Sequence, residues 1–140
     1  MRLFIDTWGW LVLRDKREVR HREITSFYHN FRSQRGIIST TDYVLDETFT
    51  LLFRRLPFQQ AKESMEMLDK AIQEGFLYME QITLDRFEQA KRLRLKFQDK
   101  PRISFTDFTS MVVMKDLEIR KILTEDDHFV QVGMGFEIAP

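Results

Sequence analysis

Short apolar runs alternate along the chain with longer stretches in which apolar residues recur every three or four positions. The short runs predict β-strands and the longer stretches predict amphipathic helices. The predicted strands are residues 3–5, 37–39, 76–79 and 122–123, with a short fifth strand at 136–138. Strands that alternate with helices indicate an α/β fold of Rossmann-like type. We therefore predict a three-layer α/β/α sandwich around a mostly parallel sheet of four to five strands.

Helix ends are marked by capping and turn residues. The apolar face that runs from Ile24 to Phe31 predicts a helix that ends near Gly36, a residue suited to a C-terminal cap. Thr83 is a predicted N-cap. Further helices are predicted at residues 42–56, 57–75, 84–97 and 105–117. No repeat or composition shift divides the chain, so residues 1–140 are expected to form one domain.

The amino-acid composition limits the class of protein and the reactive groups that are available for catalysis. Hydrophobic residues make up 43% of the chain and charged residues 31%, a balance typical of soluble globular proteins. Without cysteine there is no disulfide, thiolate metal site or cysteine nucleophile. The chain lacks a long apolar run and a signal-peptide pattern, so we expect a cytoplasmic protein with no membrane partner.

Charge is balanced, with 22 basic and 22 acidic residues, so no overall positive field attracts nucleic acid. Two local clusters are basic, and each is either a nucleic-acid contact or a solvated helix face. They comprise Arg14, Lys16, Arg17, Arg20 and Arg22, and Lys91, Arg92, Arg94 and Lys96.

Two acids lie at or just past the carboxyl ends of predicted strands. Asp6 comes after the first strand, and Asp126 lies just past the fourth, where Asp127 competes with it. Ligands of parallel sheets gather at the carboxyl ends of the strands, so these positions suit a functional site. Asp6 has an equally good structural interpretation as the N-cap of a helix that begins at Thr7 or Trp8.

Two further acids lie on predicted helices. Glu47 falls between Val44 and Leu51, which should face inward, and a buried acid there is costly unless it is paired. Asp107 follows Ser104 by three positions, so it is either a site residue or half of a capping box.

A set of four carboxylates can form an all-oxygen cage, which suits Mg²⁺ or Mn²⁺ better than zinc. Four hydroxyls adjoin these acids and are predicted either to support them by hydrogen bonds or to act as ordinary helix caps: Thr7, Ser104, Thr106 and Thr124. The three histidines show no zinc-like spacing and are left outside the predicted site. Trp8, Trp10 and Phe4 are expected in the core, with base stacking as the alternative.

Four segments, taken in order, resemble the motifs of the PIN-domain family, and more narrowly its VapC-type toxin ribonucleases. They are Leu3-Phe-Ile-Asp-Thr, Tyr43-Val-Leu-Asp-Glu-Thr, Ser104-Phe-Thr-Asp and Leu123-Thr-Glu-Asp-Asp-His-Phe. The resemblance implies that Asp6, Glu47, Asp107 and Asp126 are catalytic and metal-binding, and it selects Asp126 over Asp127.

The same resemblance implies a function. It predicts an Mg²⁺- or Mn²⁺-dependent endoribonuclease that cuts RNA phosphodiester bonds as the toxin of a type II toxin–antitoxin pair. The implied partners are an RNA substrate, a cognate antitoxin and a second copy in a homodimer. A non-catalytic PIN-like scaffold that binds RNA or protein is the alternative.

Overall fold

The computed structural model describes residues 1–140 and contains five strands and seven helices. The strands are β1 (Arg2–Ile5), β2 (Ile37–Thr41), β3 (Tyr78–Glu80), β4 (Lys121–Leu123) and β5 (Glu137–Ile138). The helices are α1 (Thr7–Arg14), α2 (His21–Ser33), α3 (Asp42–Arg55), α4 (Phe58–Gln73), α5 (Leu84–Lys96), α6 (Phe105–Asp116) and α7 (His128–Gln131). All five predicted strands are present, with ends that differ by a few residues. The one-turn helix α7 was not predicted.

The sheet has the strand order β3-β2-β1-β4-β5, and every neighbouring pair is parallel. Parallel neighbours require crossover connections, and the helices supply them. Right-handed crossovers place α1 to α4 on one face of the sheet and α5 to α7 on the other. The predicted three-layer α/β/α sandwich is therefore confirmed.

The central strand β1 is buried on both faces. Leu3, Phe4 and Ile5 expose none of their surface, because helices cover the sheet on each side. These residues belong to an apolar cluster of 26 buried residues that spans the sheet and its helices. None of the helices combines the length and apolar character that a bilayer span requires.

The chain reverses its direction across the sheet between β1 and β4. It proceeds outward from β1 to β3 and then returns to add β4 on the other side of β1. The crevice at the carboxyl ends of two such strands is the usual ligand site of an open parallel sheet. Gly9 lets α1 pack closely there, because a Cβ would lie 2.8 Å from Ile5 and 2.9 Å from Leu123.

The end of α2 differs from the prediction in one detail. Arg35, not Gly36, adopts the left-handed conformation, with φ of 60°. The backbone N–H of Gly36 donates to the carbonyl of Phe31 at 3.0 Å, as in a Schellman motif. A Cβ on Gly36 would lie 2.1 Å from the Phe31 ring, so close packing accounts for the glycine. Thr83 caps α5 as predicted.

Candidate active site

Asp6 occupies the N-cap position of α1, but its side chain makes no capping hydrogen bond to the helix. The carboxylate instead lies at the end of β1, where the Thr124 hydroxyl donates to its Oδ2 at 3.1 Å. The side chain is buried. Asp6 therefore lies between the ends of β1 and β4, and its role as a site residue stays a prediction.

Asp107 lies in the first turn of α6, a helix that is buried along nearly its whole length. Its backbone N–H donates to the Ser104 hydroxyl at 3.0 Å, so Ser104 caps the helix as predicted. The carboxylate does not return a bond to Ser104, and the capping box is therefore incomplete. The Asp107 side chain is available to the site.

Asp126 lies in the loop after β4 and is half-buried, whereas Asp127 is exposed. The Asp126 backbone N–H donates to the Thr124 hydroxyl at 3.1 Å, so Thr124 contacts both Asp6 and Asp126. The Asp126 carboxylate lies beside His128, with 2.9 Å between its Oδ1 and the ring Nδ1. These contacts place Asp126, and not Asp127, with the other acids.

Glu47 is exposed, so the prediction of an inward-facing, costly acid was wrong. The buried position on this turn of α3 belongs to Thr48, whose hydroxyl donates to the Val44 carbonyl at 2.7 Å. Glu47 nevertheless lines the same cavity as Asp6 and Asp107. Its carboxylate reaches the site from the solvent side.

The four predicted acids line one cavity of about 500 Å³, which we call the acid-lined cavity. We call Asp6, Glu47, Asp107 and Asp126 the acidic cluster. The other lining residues are Thr7, Trp8, Leu11, Leu51, Arg55, Arg102, Ser104, Thr124, Glu125 and His128. Thr106 lines a neighbouring cavity of about 560 Å³ that shares Glu47 with the first.

Three charged or titratable lining residues that the sequence analysis did not place in the site are His128, Arg55 and Arg102. His128 was set aside because it lacked zinc-like spacing, yet it lies two positions after Asp126. Arg55 ends α3, and Arg102 lies in the loop before α6. No periodicity in the sequence indicates that either arginine lines the cavity, because their position there depends on how distant elements pack.

The surroundings of Asp6 and Asp107 disfavour the negatively charged form of both carboxyl groups. Burial raises the pKa of Asp6 to about 6, and the charges of Glu47 and Asp126 add to this rise. The backbone N–H of Thr7 and the Thr124 hydroxyl act in the opposite direction. Burial also raises the pKa of Asp107 to about 8, reinforced by the charges of Asp6 and Asp126.

No lysine or arginine forms a salt bridge with any member of the acidic cluster. Carboxylates that are buried together without a cationic side chain are costly, and a metal ion would relieve that cost. One ligand atom from each of Asp107, Asp126 and His128 lies within 4.8 Å of the others. The carboxylate oxygens of the acidic cluster form a donor set that fits a hard divalent cation.

The remaining predicted residues have mainly structural contacts. The Thr7 hydroxyl reaches the Val44 carbonyl at 3.5 Å, and the Thr106 carbonyl accepts the Thr109 hydroxyl. Phe4 lies in the core as expected. Trp10 is also buried, and its indole N–H donates to Thr40 at 3.3 Å.

Both basic clusters contribute to structural contacts within the chain. In the first, Arg14 donates to Ser64 and Arg17 to Asp15. In the second, Arg94 donates to three backbone carbonyls that shape the loop before α6. These contacts favour a structural interpretation for the residues that make them.

Comparison with known proteins agrees with this fold. The chain is 28% identical over 138 residues to the 23S rRNA-specific endonuclease VapC20 of two Mycobacterium tuberculosis strains, covering 99% of this chain and 98% of that protein. The crystal structure of M. tuberculosis VapC20, a sarcin-ricin loop cleaving toxin, superposes with a TM-score of 0.77 at 30% identity. This match covers 94% of the present chain and 95% of VapC20.

A structure of VapBC2 from Rickettsia felis, bound to a DNA fragment from its promoter, gives a TM-score of 0.74 at 11% identity. It covers 99% of this chain and 98% of the matched chain, and at that identity it shows a shared fold alone. No family model matches the sequence.

A parallel sheet in this order, with acids at the β1–β4 crevice, defines a PIN-like α/β protein. The identity and coverage shared with VapC20 define the family more narrowly. The chain belongs to the VapC-type toxin ribonucleases of the PIN-domain family.

Proposed function

We propose that this chain is a metal-dependent endoribonuclease and the toxin of a type II toxin–antitoxin pair. The observation that carries the proposal is the acidic cluster, whose members come from distant parts of the chain, line one cavity and form no salt bridge with a lysine or arginine. Membership in a ribonuclease family supports the reaction class, and the donor set supports Mg²⁺ or Mn²⁺ as the ion.

In this proposal Asp6, Asp107 and Asp126 hold the ion, and Glu47 adds a carboxylate from the solvent side. The bound ion would polarise the scissile phosphate and ease deprotonation of a water molecule. In the overall hydrolysis the water oxygen bonds to phosphorus, the bond from phosphorus to the leaving ribose oxygen breaks, and the proton lost by the water ends on that ribose oxygen. Thr124 holds Asp6 in place through its hydroxyl.

Two arginines and one tryptophan would supply the contacts to RNA. Arg102 lines the acid-lined cavity and makes no hydrogen bond or salt bridge within the chain, so its guanidinium is available to a phosphate. Arg55 lines the same cavity and forms a salt bridge only with Glu18, at 3.4 Å. Trp8 lines the cavity as well, with Arg20 over its ring at 5.4 Å, and can stack on an unpaired base.

We also propose a cognate antitoxin and a homodimer as the protein partners. Both proposals rest on membership in the toxin family, and the VapB–VapC assembly from R. felis is a related example of such a complex. Co-expression with the neighbouring gene product, followed by measurement of mass in solution, tests both.

The direct test is cleavage of RNA by purified protein with Mg²⁺, with Mn²⁺ and with EDTA. The RNA pool should include 23S ribosomal RNA, because the relative VapC20 is specific for it. We expect cleavage only with metal, and we expect Asp6→Asn to remove it while the protein stays folded. The exposed Asp127→Asn is the matched control and should cleave normally.

Two results would contradict the proposal. Cleavage by nuclease-free preparations that persists unchanged in EDTA or in folded Asp6→Asn would show that the reaction needs neither the metal nor this carboxylate. Metal binding together with RNA binding, but with no cleavage of any RNA in the pool, would favour the non-catalytic scaffold.

A further inference from the structure

His128 connects two carboxylates of the acidic cluster that come from different elements. Its backbone N–H donates to Asp126 Oδ1 at 2.9 Å. Its ring Nδ1 lies 3.4 Å from Asp107 Oδ2, within hydrogen-bond distance. One residue therefore links the start of α6 to the loop after β4.

The position of His128 is itself fixed. It is the first residue of α7, and Phe129 directly after it is fully buried and packs edge-on against Phe136. The backbone N–H groups of Val130 and Gln131 both donate to the Asp127 carbonyl at 3.0 Å. The imidazole is only 24% exposed, so its ring has little freedom to move away from the acids.

The contacts leave specific oxygens available. Asp126 Oδ1 accepts the backbone N–H of His128, and the ring Nδ1 lies 2.9 Å from the same oxygen. Oδ2 of Asp126 accepts no hydrogen bond within the chain. With its proton on Nδ1, the ring donates to Asp107 and stabilises the mutual orientation of the two carboxylates.

We infer that His128 is a positioning residue, which fixes Asp107 and Asp126 in the orientation that binds the divalent cation but does not itself bind the metal. The inference rests on the proposed function, since it assigns a role in that metal site. It goes further by predicting that a hydrogen-bond donor, and not an imidazole ligand, is required at position 128.

Direct Mn²⁺ binding, measured by calorimetry and by electron paramagnetic resonance without RNA, tests this role. His128→Leu removes the donor, and we expect roughly tenfold weaker binding, as for other outer partners of metal ligands. His128→Asn places an amide N–H near the position of Nδ1 and should bind within about threefold of the unaltered protein. His29→Leu alters an exposed histidine on α2 that does not line the cavity, so it is the matched control and should bind Mn²⁺ normally.

Nitrogen hyperfine coupling provides the second readout. An imidazole bound to Mn²⁺ gives ¹⁴N coupling in electron–nuclear double resonance, and we expect none in the unaltered protein. A clear ¹⁴N coupling that disappears in His128→Leu would overturn the inference, because His128 would then be a ligand. Equal Mn²⁺ affinity in His128→Leu, or a failure of His128→Asn to restore binding in a folded protein, would overturn it as well.

The outcomes also separate this inference from the proposed function. Absence of Mn²⁺ binding in the unaltered protein would overturn the inference together with the metal site. Normal Mn²⁺ binding with the expected ranking of variants, but no RNA cleavage, would overturn the nuclease proposal and leave the role of His128 intact.

Discussion

Two buried aspartates in this protein have opposite electrostatic surroundings. Asp15, just after α1, and Asp107, at the start of α6, are exposed by only 4% and 7%. Hydrogen bonds from Arg17 lower the pKa of Asp15, whereas burial and neighbouring acids raise the pKa of Asp107 to about 8. Burial alone therefore does not decide the charge of a carboxyl group. The two places differ in how deeply the carboxyl group is removed from water and in the presence of an arginine, since no lysine or arginine forms a salt bridge with the acidic cluster.

The largest expected effect of this difference is on catalysis. Asp107→Asn should lower RNA cleavage by a factor on the order of 10³, because it removes one charged ligand from the metal site. Asp15→Asn should change cleavage by less than about threefold and should instead cost about 1 kcal/mol of stability, since it weakens an ion pair with the exposed Arg17. Cleavage rates and urea unfolding of both variants check this. Similar cleavage rates for Asp107→Asn and Asp15→Asn would contradict the proposed difference between the two aspartates.

The free energy of unfolding should change with pH in opposite directions at the acidic cluster and at Asp15. In EDTA, folded Asp6 and Asp107 retain protons that the unfolded chain releases near its ordinary pKa of 3.8. The free energy of unfolding should therefore fall as pH rises from about 4 to 8, with Asp6 alone accounting for about 3 kcal/mol. Asp15 acts oppositely, because its stabilisation is lost only as pH falls below its ordinary pKa.

Urea unfolding at pH 5 and pH 8 measures that dependence. Asp107→Asn should flatten the fall in stability between these two pH values, and Asp15→Asn should leave the fall unchanged. A metal-free protein that is more stable at pH 8 than at pH 5 would show that the acidic cluster is not strained by its own charge.

Metal binding should relieve the cost of the acidic cluster. At a hundredfold excess over Kd, a ligand that binds only the folded state stabilises by about 2.7 kcal/mol. For a chain of this length that is roughly 8 °C in Tm. Thermal melting with and without Mn²⁺ measures the shift, which Asp107→Asn should largely abolish and Asp15→Asn should preserve. A Tm shift of equal size in both variants would show that the ion binds outside the acidic cluster.

The smallest effect concerns the arginines. Arg17 is engaged by Asp15, whereas Arg102 has no partner within the chain and lines the acid-lined cavity. Arg102→Ala should weaken RNA binding by about threefold and reduce the slope of log affinity against log salt by about 0.7, the value for one contact to single-stranded nucleic acid. Arg120→Ala, at another arginine with no salt bridge, is the control. Equal effects of the two substitutions would exclude a specific role for Arg102.

Much of the fold could be predicted because it follows from local periodicity. The apolar run at β1 indicates a strand that is buried on both faces. Thr83 indicates the start of α5, because its side chain accepts a hydrogen bond from the backbone N–H three positions later. Glu47 shows the limit of this reasoning. Its helix was predicted, but which side chain of the turn faces the core was decided by the packing of Thr48.

The candidate site could be predicted in part for the same reason. Asp6 and Asp126 stand out because each follows a strand, and strand ends can be read from the sequence. Asp107 also had a local explanation as half of a capping box, and the missing return bond to Ser104 could not be predicted from the sequence. His128 gave no signal, because its role depends on Asp107, which lies 21 positions earlier.

The sequence by itself determined the α/β class, the positions of the strands and the set of acids that could form a site. These features depend on the spacing of residues, on the period of apolar positions and on residue chemistry, all of which are local properties of the sequence. The tertiary structure alone decided that the chain reverses between β1 and β4, that no lysine or arginine forms a salt bridge with the acidic cluster, and that His128 joins two of its members. Those facts depend on contacts between residues far apart in the chain, and the energies that select them arise only when the elements pack.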